Sequence, residues 1–233
     1  MIWLRNLAFY VAFYLGSVFF TLTAFTARPF SQRLFKWAVH SWSRFHRVCV
    51  VNLLGCEIVI EGVMPDEPVF YAIKHESFFE AIDAPTLLRW PSIFAKQELF
   101  SIPAWGAAAR SYGLIEVRRS AGAAALRTML RAAKAVTAQG RPLVIFPEGT
   151  RVPHGEIRQL QSGFAGLYKM LGLPVLPIAV DSGPVYHRRL KRKGTITYRI
   201  GEVIEAGLPR PEIEERVLAA INALNRRESA ISS

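Results

Sequence analysis

Short apolar runs alternate with helix-like stretches after residue 47, and this alternation limits the chain to few architectures. The runs are rich in β-branched residues, and the stretches between them carry helix start and stop signals. The predicted strands are residues 48–62 (one or two strands), 69–73, 92–96, 113–117, 142–146, 175–180 and 195–201; the predicted helices are residues 78–89, 120–140, 160–172 and 211–227. Strands that alternate with helices predict an α/β fold with a mostly parallel sheet flanked by helices.

The N-terminal part of the chain has a different pattern. Residues 7–27 carry no charged side chain, and a helix of that length covers a hydrocarbon core of roughly 30 Å. No small-residue cleavage site follows, so a membrane-inserted segment is favoured over a signal peptide. Residues 30–47 alternate basic and aromatic side chains at helical spacing, which predicts a second helix at the headgroup level. The aromatic side chains expected to face lipid are Phe35, Trp37, Trp42 and Phe45.

These patterns predict membrane-associated helices in residues 1–47 and an α/β domain in residues 48–233. Arg5 precedes the apolar run, whereas five basic residues follow it before residue 48. Because basic residues remain on the cytoplasmic side, the α/β domain is expected to face the cytoplasm from the cytoplasmic membrane. The sequence leaves open whether residues 7–27 cross the bilayer or enter one leaflet.

The net charge of +11 on a chain with 51% apolar residues indicates an anionic partner, either an acidic membrane surface or nucleic acid. Cys49 and Cys56 both lie in apolar sequence that is predicted to be buried strand, and two cysteines do not form a disulfide framework. The lack of a disulfide framework predicts that the protein is located in a reducing compartment. The five histidines are scattered without metal-ligand spacing, so no metal site is predicted.

Charged and polar side chains follow four predicted strands at the point where each strand ends. Ligands bind outside the carboxyl ends of the strands in an open α/β sheet, so these side chains are expected to meet at one edge. They are Lys74, His75, Glu76 and Ser77 after residues 69–73; Arg118 and Arg119 after residues 113–117; Glu148, Gly149, Thr150 and Arg151 shortly after residues 142–146; and Asp181 and Ser182 after residues 175–180.

His75 is the candidate general base at this edge, because an imidazole takes up a proton near neutral pH. A base needs its other ring nitrogen held by an acceptor, and Glu80 and Asp83 are the two candidates. Five positions along a helix correspond to a rotation of about 140°. Glu80 therefore reaches the ring only if His75 lies in the turn before the helix. The same spacing also fits a capping histidine with solvent-facing acids.

Other chemistries lack their signatures in this sequence. The chain contains no G-x-S-x-G nucleophile motif, no P-loop and no G-x-G-x-x-G. The chemistry that remains is direct transfer of a group to an acceptor that a base has activated. The cations would hold an anionic group of the substrate. Taken alone, residues 146–151 also fit a turn in which Glu148 and Arg151 form a surface pair.

Four blocks in this order resemble the glycerolipid acyltransferase family, specifically the bacterial 1-acylglycerol-3-phosphate acyltransferases. The blocks, within residues 65–185, are KHESFFE (74–80), AKQELFSIPAWGAAARSYGLIEVRR (95–119), FPEGTR (146–151) and VLPIAV (175–180). Two positions depart from the family pattern. Glu80 replaces an aspartate, and Arg118 stands where the family usually has an acid.

The resemblance implies that His75 deprotonates the free hydroxyl of a lysophospholipid while Glu80, or Asp83 in its place, orients the imidazole. The hydroxyl would attack an acyl thioester of coenzyme A or acyl carrier protein, a co-substrate that leaves no need for a cofactor. The implied contacts to the glycerol phosphate are Lys96, Arg119, Glu148, Gly149, Thr150 and Arg151, with Lys74 as a weaker candidate. The product would be phosphatidic acid for phospholipid biosynthesis, made at the lipid bilayer, with no nucleic acid as partner.

Several alternatives remain open. A lyso-aminolipid of the ornithine-lipid type or glycerol 3-phosphate could replace the acceptor, since a carboxylate also satisfies arginine. A membrane-anchored acyl thioesterase would use His75 and Glu80 to activate water, but water needs no phosphate clamp. A non-catalytic lipid-binding or nucleic-acid-binding module explains the charge and leaves the ordered blocks unexplained. Basic residues 186–193 fit either contact with an anionic lipid or carrier, or a solvated hairpin.

Overall fold

The structure, a computed structural model, describes residues 1–118, 122–187 and 189–225. Its strands are β1 (Glu57–Glu61), β2 (Phe70–Ile73), β3 (Ser92–Lys96), β4 (Ile115–Val117), β5 (Leu143–Ile145), β6 (Val175–Val180) and β7 (Thr195–Ile200). Its α-helices are α1 (Ile2–Ala27), α2 (Gln32–Cys49), α3 (Phe79–Leu87), α4 (Trp105–Tyr112), α5 (Gly122–Thr137), α6 (Ser162–Leu171) and α7 (Arg210–Ile221). A π-helix (Val50–Leu54) follows α2, and a 3₁₀ helix (Gln97–Ser101) follows β3.

The chain forms two compact units. The first comprises Met1–Gly55 and Ile82–Arg141, and the second comprises Cys56–Ala81 and the chain from Pro142 onward. The boundary predicted at residue 47 lies inside α2. The division into a membrane-associated part and an α/β domain at that point stays a prediction.

The second unit is built on five strands in the order β1-β7-β6-β2-β5. Strand β2 lies between β5 and β6 and is parallel to both, with Ala72 opposite Ile145 and Pro177. Strand β7 is antiparallel to β6 and parallel to β1. The predicted α/β fold with a mostly parallel sheet is confirmed. Since β5, β2 and β6 run in one direction, the segments that follow them begin at the same edge of the sheet.

Helices α6 and α7 bury the strands of this unit. Phe164 of α6 stacks on Phe70 of β2 with ring centroids 6.0 Å apart. Helix α7 packs on β6 and buries Ile213, Val217 and Ile221, which recur every four residues on one face. Every residue of β2 and β6 is buried, which explains why these strands are continuous apolar runs in the sequence.

In the first unit, α1 and α2 pack against each other. Trp42 donates its indole N–H to Ser17 Oγ at 2.9 Å, and its ring stacks on Phe13. The ring of Phe45 crosses α1 at Gly16, where any side chain would collide with it. Strands β3 and β4 of this unit pair in parallel.

The helix predicted in residues 30–47 is present, but the predicted exposure of Phe35 to lipid is wrong. Phe35 is 1% exposed and packs in a cluster with Ala24, Ala27, Ala38 and Tyr112. Helix α1 covers this face of α2, and a pattern of basic and aromatic residues along one helix does not reveal which neighbour covers its aromatic face. Trp37 remains exposed.

Helix α1 leaves most of its large apolar side chains uncovered. Trp3, Leu4 and Leu15 are 74%, 71% and 68% exposed. Among the residues that the structure describes, α1 is the one helix whose length and composition would allow it to cross a membrane. This apolar helix supports association of the chain with a membrane.

The prediction of a strand at the start of residues 48–62 is also wrong. Residues 48 and 49 complete α2, and Val50–Leu54 forms the π-helix, which ends at Gly55 with φ +77°. Val50 and Leu54 are both buried, a four-residue spacing that fits a helical face. A short apolar run by itself does not separate a buried strand from a buried helix. Cys49 is accordingly buried in a helix, and the strand of this region is β1 alone.

The other predicted elements are present; the strands predicted at residues 92–96 and 175–180 coincide with β3 and β6, and the others have shifted ends. The predictions for residues 78–89, 120–140, 160–172 and 211–227 correspond to α3, α5, α6 and α7. The proposed N-cap Ser120 and the final residues 226 and 227 of the last predicted helix lie outside the described residues. Helix α4 and the 3₁₀ helix were not predicted, because Pro103 and Gly106 interrupt the helical pattern there.

Candidate active site

His75 lies in the turn between β2 and α3. Its ring stacks on Phe146 with centroids 4.2 Å apart, and its Nδ1 lies 2.9 Å from Glu80 Oε1. The side chain is 16% exposed, so solvent reaches an otherwise buried imidazole. Glu80, and not Asp83, is therefore the acceptor that holds the ring.

The Glu80 carboxylate is completely buried and accepts hydrogen bonds on both oxygens. Oε1 accepts from the backbone N–H groups of Glu76 at 2.6 Å and Ser77 at 2.7 Å, in addition to His75. Oε2 accepts from Ser182 Oγ at 2.7 Å and lies 3.1 Å from Ser77 Oγ. Burial by itself raises the pKa of Glu80, but the contact with His75 and the bonds from Ser182 and Ser77 outweigh burial and hold the pKa below its ordinary value. A charged Glu80 keeps a proton on Nδ1 of His75, so Nε2 is the basic nitrogen.

The direction of Glu80 follows from the way α3 begins. Ser77 Oγ accepts from the N–H of Phe79 at 3.0 Å, while Glu80 accepts from the N–H of Ser77. This reciprocal pattern is the S-x-x-E capping arrangement of a helix N-terminus. It turns the glutamate back over the preceding turn, where His75 lies. The spacing of Ser77 and Glu80 was thus a sequence signal that separates Glu80 from Asp83, and our sequence reasoning missed it.

Asp83 forms a different pair, within the first unit. Arg47 donates Nε–H to Oδ1 at 2.7 Å and an Nη2–H to Oδ2 at 2.5 Å, and Asp83 is fully buried. A cavity of about 620 Å³ adjoins this pair; it is lined by His40, Arg44, Arg47, Val48, Val51, Asn52, Pro85 and Thr86. The alternative of a capping histidine with solvent-facing acids is wrong, because Glu76, Glu80 and Asp83 are all buried.

Glu148 and Lys74 form a buried ion pair beneath the turn. Lys74 Nζ lies 2.7 Å from Glu148 Oε1 and 2.7 Å from Asn222 Oδ1, and neither charged side chain is exposed. Glu148 Oε2 accepts the backbone N–H of His75 at 3.2 Å. Glu148 is thus not a surface partner of Arg151, and both charges of the pair are satisfied inside the protein. Neither side chain is free for the phosphate contact that the resemblance implies.

The rest of the FPEGTR turn reaches the surface. Gly149 adopts φ +69°, a conformation that favours glycine, and Thr150 is half-buried. Arg151 is exposed, with its guanidinium carbon 3.9 Å from the centroid of the Phe78 ring. The stacking restrains the guanidinium while its N–H groups remain accessible.

The remaining predicted residues are placed as follows. Lys96 is exposed at the end of β3 in the first unit. Arg118 pairs with Glu116 at 2.8 Å, and Arg119 lies outside the described residues. In the basic segment 186–193, Lys191 is buried with its Nζ 4.2 Å from the Tyr186 ring centroid, and Arg188 lies outside the described residues.

A second pair of a histidine and a glutamate was not foreseen. His154 Nδ1 lies 3.0 Å from Glu76 Oε1, and the N–H of Gly183 donates to Glu76 Oε2 at 2.8 Å. Burial raises the pKa of Glu76 to about 7, although the bonds from Gly183 and His154 offset part of this effect. The two residues are separated by 78 positions, so no local pattern could have predicted the pair.

The arrangement is suited to proton transfer at the rim of the second unit. His75 offers a basic nitrogen, a buried carboxylate stabilises the imidazolium, and an accessible arginine stands on the turn that follows β5. Within the described residues, no group of three or more His, Cys, Asp or Glu side chains is placed to hold a metal ion.

Comparisons with known proteins show what this chain is similar to. A family model described as Acyltransferase matches residues 56–181, which include His75, Glu80 and the FPEGTR turn. The chain is 30% identical over 234 residues to a 1-acyl-sn-glycerol-3-phosphate acyltransferase of Pseudomonas aeruginosa, an alignment that covers 97% of this chain and 88% of that protein. It is 29% identical over 155 residues to a lyso-ornithine lipid O-acyltransferase of the same organism, covering 66% of this chain and 55% of that protein.

A solved structure has the same fold. The crystal structure of the 1-acyl-sn-glycerophosphate acyltransferase PlsC from Thermotoga maritima superposes with a TM-score of 0.77 and covers 100% of both chains. The two sequences are 19% identical, so this likeness concerns the fold.

Proposed function

Because this chain belongs to the acyltransferase family, we propose that it transfers a fatty acyl group from an acyl thioester to the free hydroxyl of 1-acyl-sn-glycerol-3-phosphate, giving phosphatidic acid. The observation that carries the proposal is His75, whose Nδ1 is held 2.9 Å from a buried carboxylate. No residue in the described part of the chain bonds its Nε2. An imidazole held in this way presents a basic nitrogen to a hydroxyl group.

The acyl group passes directly from the thioester to the acceptor hydroxyl. Nε2 of His75 takes the hydroxyl proton as the oxygen attacks the thioester carbonyl carbon. The new C–O bond forms, the C–S bond breaks, and the imidazolium returns the proton to the leaving thiolate. Glu80 stabilises the imidazolium while it exists. The proposed step needs no redox partner, and the acyl thioester is a co-substrate rather than a cofactor.

The acyl donor is a thioester of coenzyme A or of acyl carrier protein. Both donors present the same carbonyl carbon and release a thiol, so the bond changes at His75 are the same. Both carriers are anionic, which suits a chain with a net charge of +11.

The acceptor phosphate is assigned to Gly149, Thr150 and Arg151, with Arg119 and Lys96 as further candidates. A guanidinium bonds two phosphate oxygens at once, and that of Arg151 is exposed. Glu148 has a different task in this proposal. Its buried carboxylate ties the turn to Lys74 and to the His75 backbone, so it shapes the phosphate site without touching the phosphate.

The reaction takes place at a membrane surface, where lysophospholipid and long-chain donor are both found. Helix α1 anchors the chain, and the catalytic part faces the cytoplasm. The excess of basic residues after α1 supports this orientation.

A lyso-ornithine lipid is the second candidate acceptor. The observation in its favour is the match to a lyso-ornithine lipid O-acyltransferase, which covers less of the chain than the match to the phosphate-acceptor enzyme. An aminolipid carboxylate would occupy the place of the phosphate on Arg151.

The test is thiol release from a long-chain acyl-coenzyme A by the detergent-solubilised protein, with the lipid product followed in parallel. The assay is run without acceptor, with lysophosphatidic acid and with lyso-ornithine lipid. We expect release that requires lysophosphatidic acid and yields phosphatidic acid. Release without an acceptor would identify a thioesterase, and release only with the aminolipid would replace the acceptor. If no thiol is released from the coenzyme A thioester, the assay is repeated with acyl carrier protein as donor. The absence of thiol release with both donors would overturn the proposal.

A further inference from the structure

Lys74 and His75 both form hydrogen bonds to the segment that carries the FPEGTR turn. Besides its pair with Glu148, Lys74 donates from Nζ to the carbonyl of Glu156 at 3.2 Å. The carbonyl of His75 accepts the N–H of Val152 at 2.7 Å. The segment 148–156 is therefore attached to the chain at the catalytic base by backbone and side-chain bonds.

Glu76 and His154 extend this attachment by one more residue. The Glu76 side chain is fully buried and that of His154 is 12% exposed, so their contact at 3.0 Å is shielded from water. Glu76 Oε2 also accepts the N–H of Gly183. A Cβ at Gly183 would lie 3.0 Å from Glu76 Oε2 and 3.3 Å from His154 Cβ, so the pair packs closely against this glycine and would have to shift to admit a side chain.

The same short segment after β6 braces both pairs of histidine and glutamate. Ser182 Oγ donates to Glu80 Oε2, and the next residue, Gly183, donates to Glu76 Oε2. A shift of Glu76 would thus be felt at Gly183 and, one residue away, at the partner of Glu80. The segments that follow β2, β5 and β6 all meet at Glu76.

We infer that Glu76 and His154 are positioning residues, which fix the turn 149–151 relative to His75 so that a bound acceptor presents its hydroxyl to Nε2. The inference rests on the proposed acyl transfer and adds two residues to it. Neither residue takes part in a bond change. They act through the backbone of the turn and through Gly183, and they hold the distance between the site for the anionic group and the base.

The chemistry of the pair suits a positioning role. Burial raises the pKa of Glu76 to about 7, and its Oε1 lies within hydrogen-bond distance of His154 Nδ1, where the carboxyl group can accept when charged and donate when protonated. The pair therefore contributes the position of the turn, and its charge is not required. A glutamine at residue 76 can accept from Gly183 and donate to His154, so it preserves both contacts without the charge.

The experiment compares Glu76→Ala with Glu76→Gln, and His154→Ala with His154→Asn. Asparagine places an N–H close to the position of Nδ1, so each residue has one variant that keeps the bond and one that removes it. We expect both alanine variants to lower kcat by roughly 10–100-fold, because small misplacements of reacting groups cost this much. The acceptor KM rises and the donor KM stays constant. The glutamine and asparagine variants stay within about threefold of wild type, as an intact hydrogen bond predicts.

Gly183→Ala tests the geometry without removing either side chain, and it serves if an alanine variant does not fold. Its Cβ displaces the Glu76 carboxylate, so kcat falls while the donor KM is unchanged. Gln159→Ala, a substitution at an exposed residue three positions after this segment, is the matched control and is expected to behave as wild type.

A second measurement does not depend on activity. Amide hydrogen exchange of residues 149–156 without substrate is expected to accelerate in the alanine variants and in Gly183→Ala, and to stay near wild type in the glutamine variant. This separates failure of the inference from failure of the proposed reaction. Full kcat in Glu76→Ala, or equal losses in Glu76→Gln and Glu76→Ala, would overturn the inference. So would loss of activity with unchanged exchange, which would indicate direct contact with substrate.

Discussion

At the scale of single residues, the site depends on one carboxylate that is both buried and charged. Burial disfavours the charged form of Glu80, and hydrogen bonds from His75, Ser77 and Ser182 reverse that preference. The result is a fixed negative charge beside the Nδ1 of His75. Glu76, one residue from His75, has the opposite balance, because burial dominates and raises its pKa to about 7.

The first residue-scale prediction concerns the base. His75→Ala removes the nitrogen that takes the hydroxyl proton, so we expect kcat to fall by roughly 10²–10⁴-fold. The measurement is lysophosphatidic acid-dependent thiol release, with His187→Ala, an exposed histidine of the same unit, as control. Full activity of His75→Ala would remove the base assignment.

The second concerns the orienting carboxylate. Glu80→Gln can keep a carbonyl oxygen for the three donors that converge on Oε1, but it removes the negative charge that stabilises the imidazolium of His75. We expect a loss of roughly 10²-fold or more in kcat, with a donor KM close to wild type. Glu80→Asp keeps the charge with a shorter reach and is expected to retain more activity than the glutamine variant. The reverse order of the two variants would contradict a role through charge.

The third concerns stability and pH. The pKa of Glu76 is raised from 4.5 to about 7 on folding, so the folded state binds this proton more tightly. The resulting stability is fully present below the unfolded pKa and is lost as pH rises through about 7. Relative to Glu76→Gln, the wild type is expected to lose on the order of 3 kcal/mol between pH 4 and pH 8. Thermal unfolding of both proteins across this range is the measurement, and a pH-independent difference would refute the assignment.

At the scale of elements, the ends of β2, β5 and β6 explain why distant residues meet. Parallel strands end at one edge, which brings residues 74–76, 148–151 and 182–183 together. The N-terminal cap of α3 then aims Glu80 at His75. The glycine at the contact of α1 with α2 has a comparable local role, since it permits the ring of Phe45 to lie against the α1 backbone.

The element-scale prediction follows from that contact. Gly16→Leu forces the ring of Phe45 away from α1, and overpacking of this kind costs about 1–3 kcal/mol. We expect a lower thermal midpoint for Gly16→Leu in detergent. The loss is expected to be smaller when Phe45→Ala is also present, because the truncated side chain leaves room for leucine. Equal losses in both backgrounds would show that the ring does not limit the approach of the two helices.

At the scale of the whole molecule, hydrophobicity and charge are distributed unevenly along the chain. Helix α1 exposes a continuous apolar surface, whereas the chain as a whole carries a net charge of +11. An apolar helix inserts by transfer of side chains into hydrocarbon, and basic residues add attraction to anionic headgroups, which salt weakens.

The whole-molecule prediction separates insertion of the apolar helix from electrostatic attraction to the headgroups. We expect the protein to remain with membranes after a high-salt wash and to be released by detergent. Leu15 is 68% exposed near the middle of α1, so Leu15→Arg places a charge in hydrocarbon at a cost of about 2.5–3.5 kcal/mol. This variant is expected to be released by the high-salt wash more readily than Leu15→Ala. Equal retention of the two variants would show that this part of α1 does not enter the hydrocarbon.

The sequence by itself determined the features that depend on local pattern. Alternating apolar runs and helical stretches determined the α/β fold, the uncharged run determined the long apolar helix, and the order of charged blocks after the strands located His75, Glu80 and the FPEGTR turn. These features are carried by residues close together in the chain, or by the rule that parallel strands end at one edge. The S-x-x-E spacing shows that even the direction of Glu80 was encoded locally.

Only the tertiary structure decided the features that depend on which distant residues come into contact. Residues 48–54 are helical, although their apolar content predicts a strand equally well, because composition alone does not separate a buried strand from a buried helix. Phe35 became core because α1 covers it. Lys74 and Glu148 neutralise each other in the interior, and Glu76 meets His154 across 78 positions. The physical reason is common to all four: burial and partners set exposure, charge state and pKa, and both are properties of the folded chain.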